Sequence, residues 1–145
     1  MTQTTIAVID GQGGGVGKAL VEKLRQTFGK EVYIVALGTN SLATSPMLKA
    51  GADAGATGEN AIVVNAGKVD IIMGSLGILA ANSMLGEITP AMARAIGESD
   101  ARKILIPINR CGLTVVGLKS MPFNEYIEEA ITRVISEQDK TMHDE

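Results

Sequence analysis

The stretch Thr4–Lys18, TTIAVIDGQGGGVGK, decides the fold. Thr4–Ile9 (TTIAVI) is rich in β-branched residues and, from Ile6, apolar at successive positions, so an extended chain here has no polar face. Such a strand belongs in the middle of a parallel sheet, covered on both sides. Asp10 ends it, and glycine then stands at 11, 13, 14, 15 and 17. From Val16 the period becomes helical. Val16, Leu20, Leu24 and Phe28 form one stripe, while Lys18, Glu22, Lys23 and Arg25 fall largely outside it. Gly29 suits a left-handed helix end, and Glu31–Leu37 (EVYIVAL) reads as a second buried strand. Strand, glycine loop, helix and strand within about 35 residues make a βαβ unit, with a right-handed crossover expected.

Downstream, Pro46–Ala50 is expected as a short helix with Ser45 as N-cap and Pro46 at its first position. Gly51–Thr57 is either a short edge strand or a loop, and Thr57 is placed to cap a helix over Gly58–Lys68. Val69–Met73 (VDIIM) reads as a third strand, ending in the turn Gly74-Ser75-Leu76-Gly77. A small-residue helix over Ile78–Leu85 follows, then a helix opened by Thr89-Pro90 and reaching Glu98. Arg102–Pro107 is a strand, Asn109–Gly112 a turn and Leu113–Gly117 a short hairpin strand. Ser120–Pro122 starts the final helix, whose apolar stripe is Tyr126, Ile127, Ala130, Ile131, Val134 and Ile135. The expectation is a single domain over residues 1–137 and a polar, frayed tail over 138–145.

Alternating strands and helices imply an α/β fold: a three-layer αβα sandwich, Rossmann-like, around a mostly parallel sheet. With a strand from Gly51–Thr57 the order is 3-2-1-4-5. In either case Val69–Met73 lies beside Thr4–Ile9, away from Glu31–Leu37. The switch-point crevice then falls between two glycine turns, Gly11–Gly17 and Gly74–Gly77.

The chain has 145 residues and is 46% hydrophobic, enough for one core without disulfide or metal. A net charge of −3 leaves no basic excess to grip a phosphate backbone, so nucleic acid is not an expected partner. No apolar run reaches the roughly 18 residues of a membrane span, so no membrane partner is expected either. The single cysteine, Cys111, precludes an intramolecular disulfide, and the start MTQTTIAVID has no basic n-region. Both fit a reduced, cytoplasmic setting. The single histidine, His143, stands in the polar tail. That excludes a Ser-His-Asp or Cys-His mechanism within one chain, and a histidine-rich metal site.

The loop Asp10-Gly11-Gln12-Gly13-Gly14-Gly15-Val16-Gly17-Lys18 can be tested by counting. Glycines let backbone N–H groups approach a ligand, and the next helix begins with unpaired N–H groups and partial positive charge. Together they make an anion site, most simply for phosphate or pyrophosphate. Walker A aligned on Gly17-Lys18 needs glycine where Gln12 stands and Ser or Thr where Ala19 stands, and both fail. The form GxGxxG started at Gly11 finds Gly13 and then Val16. The spacing GxxxGxG fits at Gly11, Gly15 and Gly17.

That spacing resembles the nucleotide loop of short-chain dehydrogenases. Their Tyr-x-x-x-Lys pair is missing: Tyr33 is followed by Leu37, and Tyr126 by Ala130. Asn65-Ala66-Gly67 echoes another of their motifs, but precedes a strand and belongs to a helix end. As a whole, IAVIDGQGGGVGKALVEKL, ATGENAI, LGEITPAMARAI and ILIPINRCG resemble a family of small bacterial Rossmann-like proteins with no assigned activity. The resemblance implies a Rossmann-like fold and a bacterial cytosolic protein, and no catalytic residue.

The leading expectation is a nucleotide- or dinucleotide-binding domain acting as a sensor or accessory subunit. A small phosphorylated ligand would lie on Asp10, Gly11, Gln12, Gly13, Gly14, Gly15, Val16 and Gly17. Thr39 and Asn40 would stand near a ribose, with Gly74, Ser75, Leu76 and Gly77 as the opposite wall. The second strand ends in Gly38-Thr39-Asn40, without the acid that holds the ribose 2′-hydroxyl in many NAD enzymes; this points to NADP or a mononucleotide. Asp10 could hold magnesium, act as a base in a small oligomeric transferase or NADP-dependent oxidoreductase, or simply bond loop amides. A structural or interaction protein with no ligand is the third reading. Glu87 precedes the Thr89-Pro90 cap, and Arg110 and Cys111 follow a strand end. Arg110 could supply charge, and Cys111 a thiolate only if its pKa were depressed. The apolar run Ile78–Ile96, with few charges among small residues, leads to the expectation of a homo-oligomer, most simply a dimer.

Overall fold

The computed structural model describes residues 3–108 and 112–144. Strand β1 spans Thr4–Asp10, helix α1 Gly15–Phe28 and strand β2 Val32–Gly38. Helix α2 is Ser41–Lys49, strand β3 Ala54–Thr57, helix α3 Glu59–Ala66 and strand β4 Ile71–Ser75. A 3-10 turn over Leu76–Leu79 follows, then helix α4 (Pro90–Glu98), strand β5 (Arg102–Ile106) and helix α5 (Phe123–Asp144). The five strands are all parallel, in the order β3-β2-β1-β4-β5. This is the three-layer, Rossmann-like sandwich that the alternation of patterns implies.

Strand β1 is central because both of its faces are apolar. Ile6 and Val8 enter one core with Leu20, Leu24, Ile34, Met73 and Ile131, beneath α1 and α5. Ala7 and Ile9 enter the other with Ile62, Ile72, Met92 and Ile96, beneath α3 and α4. Arg25 of α1 clamps the entry to β3. It donates to the Gly51 carbonyl and, at 2.6 Å, to Asp53, which also accepts the Ile34 amide. Burial pushes the Asp53 carboxyl up, but the Ile34 N–H and the guanidinium outweigh it and hold the group below its ordinary pKa.

Several local expectations are corrected. Gly29 has a positive φ of 55° but a ψ of −127°, so it is not a left-handed cap. Helix α2 starts at Ser41, not Pro46; the Asn40 side chain caps it by accepting the Ala43 amide, and Pro46 lies inside. Thr57 does not cap α3. Gly58 takes that position, and the Thr57 hydroxyl pairs with that of Thr44 at 2.7 Å. Leu113–Gly117 forms no strand: Gly112 and Gly117 have φ of 82° and 84°, and Val116 is 95% exposed. Helix α5 runs on to Asp144.

The largest departure is Ile78–Leu85, which is not a helix. After the 3-10 turn the chain winds through Asn82, Met84, Leu85 and Gly86, all with positive φ. Asn and Ser favour such winding because their side chains compete with helical hydrogen bonding. The Ser83 hydroxyl donates to the Gly77 carbonyl at 2.6 Å, and the Asn82 amide donates to Ile88 at 2.7 Å. The fold-back buries Ile78, Met84 and Ile88 with Met92 and Ile96 of α4, leaving Leu85 97% exposed. The apolar run behind the expectation of a homo-oligomer is thus mostly covered within the chain. No helix among the described residues is long and apolar enough to cross a membrane.

Candidate functional site

The site is built at the carboxyl end of β1, where the chain turns into α1. Asp10 is buried and pairs with Gly38 across the sheet. Its carboxylate accepts the Gly11 amide at 2.8 Å and the Gly17 amide at 2.6 Å, and the Val16 amide also donates to it. Burial raises its pKa above the ordinary value; the amides of Gly17 and Gly11 oppose that, and Glu87 adds to it. Asp10 is thereby the internal brace of the loop. Among the described residues no group of three His, Cys, Asp or Glu is arranged to hold a metal.

The glycines divide into two kinds. A Cβ on Gly11 would stand 2.8 Å from the Met84 sulfur and 2.9 Å from Thr39 Oγ1. On Gly14, where φ is 74°, it would meet the Ala43 backbone at 2.9 Å; on Gly17, the Met47 sulfur at 2.5 Å. At Gly14 the obstacle is backbone, while at Gly11 and Gly17 packed side chains would have to give way. A Cβ on Gly13 or Gly15 would meet nothing within 4 Å, both residues are exposed, and neither has a positive φ. Their amides have no partner among the described residues. Gln12 (φ 50°) is exposed, Val16 is half-buried, and Lys18 leans to Glu22 at 3.9 Å.

Thr39 and Asn40 do stand beside this loop. Joining them to it is Glu87, which the sequence singles out without assigning a role. Its Oε1 accepts the Gln12 amide at 2.8 Å, the Thr39 hydroxyl at 2.6 Å and the Asn40 side-chain amide at 2.7 Å. The Thr39 and Gln12 donors hold its carboxyl below the usual range, with Asn40 adding to them. Charge-assisted bonds of this kind contribute about 1.5–3 kcal/mol each when shielded, less here because Glu87 is only half-buried. Left-handed non-glycine residues such as Met84 and Leu85 cost about 1–2 kcal/mol each. The carboxylate contacts oppose that cost and tie the wound segment to the ends of β1 and β2. No acid ends β2 in sequence, yet one stands there in space. Nothing in the local sequence pairs Glu87 with Gln12, Thr39 and Asn40, which lie 75, 48 and 47 residues away.

The second expected wall is different in kind. Gly74 and Ser75 belong to β4, are buried, and pair with Leu105 and Ile106 of β5. Gly77 is buried in the 3-10 turn, and Leu76 is half-buried. Leu76 lines a cavity of about 640 Å³ with Leu105, Pro107, Val115, Leu118 and Tyr126, at the carboxyl ends of β4 and β5. The Tyr126 hydroxyl holds its rim, donating to the Lys119 carbonyl at 3.1 Å and accepting the Met121 amide at 3.3 Å. Arg110 and Cys111, and the start of the Asn109–Gly112 turn, lie outside the described residues.

Parallel strands in the order 3-2-1-4-5, with a glycine loop between β1 and α1, define a Rossmann-like α/β protein. Residues 5–139 match the family described as "Domain of unknown function (DUF3842)", and the chain belongs to that family. No curated protein and no solved structure matches the chain.

Proposed function

We propose that this protein binds a nucleotide or dinucleotide, with a phosphate seated on the amides of Gly13 and Gly15. One observation carries the reading: packing explains glycine at 11, 14 and 17 but not at 13 and 15, where a side chain would meet only solvent. Glycine is required at an open position when something must come closer to the backbone than a Cβ allows. The helix α1 terminus beside these amides favours an anion, and Asp10 takes the amides of Gly11, Val16 and Gly17 rather than those of Gly13 and Gly15. The cavity at the ends of β4 and β5, largely apolar but lined also by Lys119, Glu129 and Arg133, lies on the other side of β1 and would suit a second base, which favours a dinucleotide. With both Asp10 oxygens holding amides, a binding role as a sensor or accessory subunit fits better than a reaction using Asp10 as base.

The test is thermal unfolding of the wild-type chain, Gly13→Val and Gly15→Val, each with and without ADP and NAD. Both variants should match wild-type stability to within about 0.5 kcal/mol, as substitutions into open space do. Wild type at 100 times its Kd should gain about 2.7 kcal/mol, and the variants should gain almost none. Equal ligand-induced stabilisation of wild type and both variants would remove the loop from the site.

A further inference from the structure

We infer that Glu87 is a ribose-selecting residue: it favours a nucleotide whose ribose keeps free 2′ and 3′ hydroxyls at this subsite, and rejects one carrying a 2′-phosphate. The inference rests on the phosphate-loop reading above and adds to it the sugar chemistry of the ligand.

In many dinucleotide-binding folds the ribose hydroxyls are held by an acid at the end of the second strand. Here β2 ends in Gly38, followed by Thr39 and Asn40, and the carboxylate arrives from a separate segment, 48 residues beyond Thr39. Glu87 Oε1 is committed to Gln12, Thr39 and Asn40. It also faces the loop, since a Cβ on Gly11 would lie 3.3 Å from it. Oε2 has no hydrogen-bond partner among the described residues, so it is available to accept from a ligand. A carboxylate oxygen only accepts, and a sugar diol offers two O–H donors side by side. A 2′-phosphate at the same place would bring a dianion against an anion. Lys18, beside the loop, is turned to Glu22 and does not offset that repulsion.

The position of Glu87 is also built rather than incidental. Its own amide donates to the Met84 carbonyl at 3.1 Å, and the Ile88 amide donates to Ser83 at 3.2 Å. Met84 and Ile88, on either side of it, are anchored in the core beneath the sheet. The wound segment therefore presents one carboxylate to the ends of β1 and β2 from a fixed base. The same contacts mean that replacing Glu87 by glutamine keeps an acceptor for Gln12, Thr39 and Asn40 while removing the charge.

The experiment is calorimetric titration of the full chain and of Glu87→Gln with four probes: NAD, NADP, ADP and 2′-deoxy-ADP. Wild type should bind NAD about tenfold or more tighter than NADP, and ADP about fivefold or more tighter than 2′-deoxy-ADP. Glu87→Gln should bring both ratios below about threefold while melting as a folded protein. A loss of affinity that is uniform over the four probes would mean a merely structural role and would overturn the inference. So would a wild-type chain that binds NADP as tightly as NAD, whatever the variant does. If wild type binds none of the four, the phosphate-loop reading fails and takes this one with it. Binding without discrimination overturns the role of Glu87 alone.

Discussion

The two glycine turns at the carboxyl edge of the sheet, Gly11–Gly17 and Gly74–Gly77, look alike in sequence and are opposites in structure. The first leaves β1 and opens outward, with Gly13 and Gly15 exposed and their Cβ positions empty. The second begins inside β4, where a Cβ on Gly74 would lie 2.6 Å from the Ile9 carbonyl oxygen. In the first turn the space beside Gly13 and Gly15 is open to approach from outside. In the second, β1 and β4 already stand too close at Gly74 to admit a Cβ. Glycine content alone does not separate these cases; what surrounds the missing Cβ does.

The largest effect is expected from Gly74→Val. Its side chain has no space between β4 and β1, and the obstacle is backbone that cannot move aside. Loss of about 3 kcal/mol or more, or failure to fold, is expected in a denaturant melt. A wild-type-like midpoint would break the contrast. Next in size is Gly14→Ala, which combines a left-handed φ of 74° with the Ala43 backbone at 2.9 Å. It should lose about 1–3 kcal/mol, although it sits in the same loop as the tolerant Gly13 and Gly15. Equal stability of all three loop variants would mean that the loop's shape is not set by its own backbone.

The smallest effect is expected at Ser75. Its hydroxyl is wholly buried and has no hydrogen-bond partner among the described residues. An unsatisfied buried hydroxyl is a cost to the folded state. Ser75→Ala should therefore leave stability unchanged or raise it by up to about 1 kcal/mol, with nucleotide stabilisation unaffected. A drop of more than that in the same melt would show that the hydroxyl does have work in the native state.

How far the fold could be read from the chain varied with the type of signal. The strands with two apolar faces, β1 and β2, and the striped helices α1 and α5 were legible because hydrophobic period depends on local residue order alone. The Thr89-Pro90 start of α4 was legible for the same reason: Thr89 accepts the Met92 amide within one turn. Ile78–Leu85 misled because its alanines and leucines favour a helix, whereas the buried positions of Met84 and Ile88 demand a fold-back. Leu113–Gly117 misled because β-branched residues suit a strand only where a partner edge is present.

The site divides along the same line. Local residue order was enough to show that a glycine loop follows a central strand and opens a helix. It also determined that Asp10 stands at that strand's end. Which glycines are crowded and which are open depends on packing, because the neighbours are Met84, Thr39, Ala43 and Met47, contributed by three other segments. Only the tertiary structure brought Glu87 to Thr39 and Gln12, 48 and 75 residues away. A hydrogen bond across that separation depends on how the whole sheet is ordered and on how the segment after β4 is wound. Neither is written in any short window of the chain.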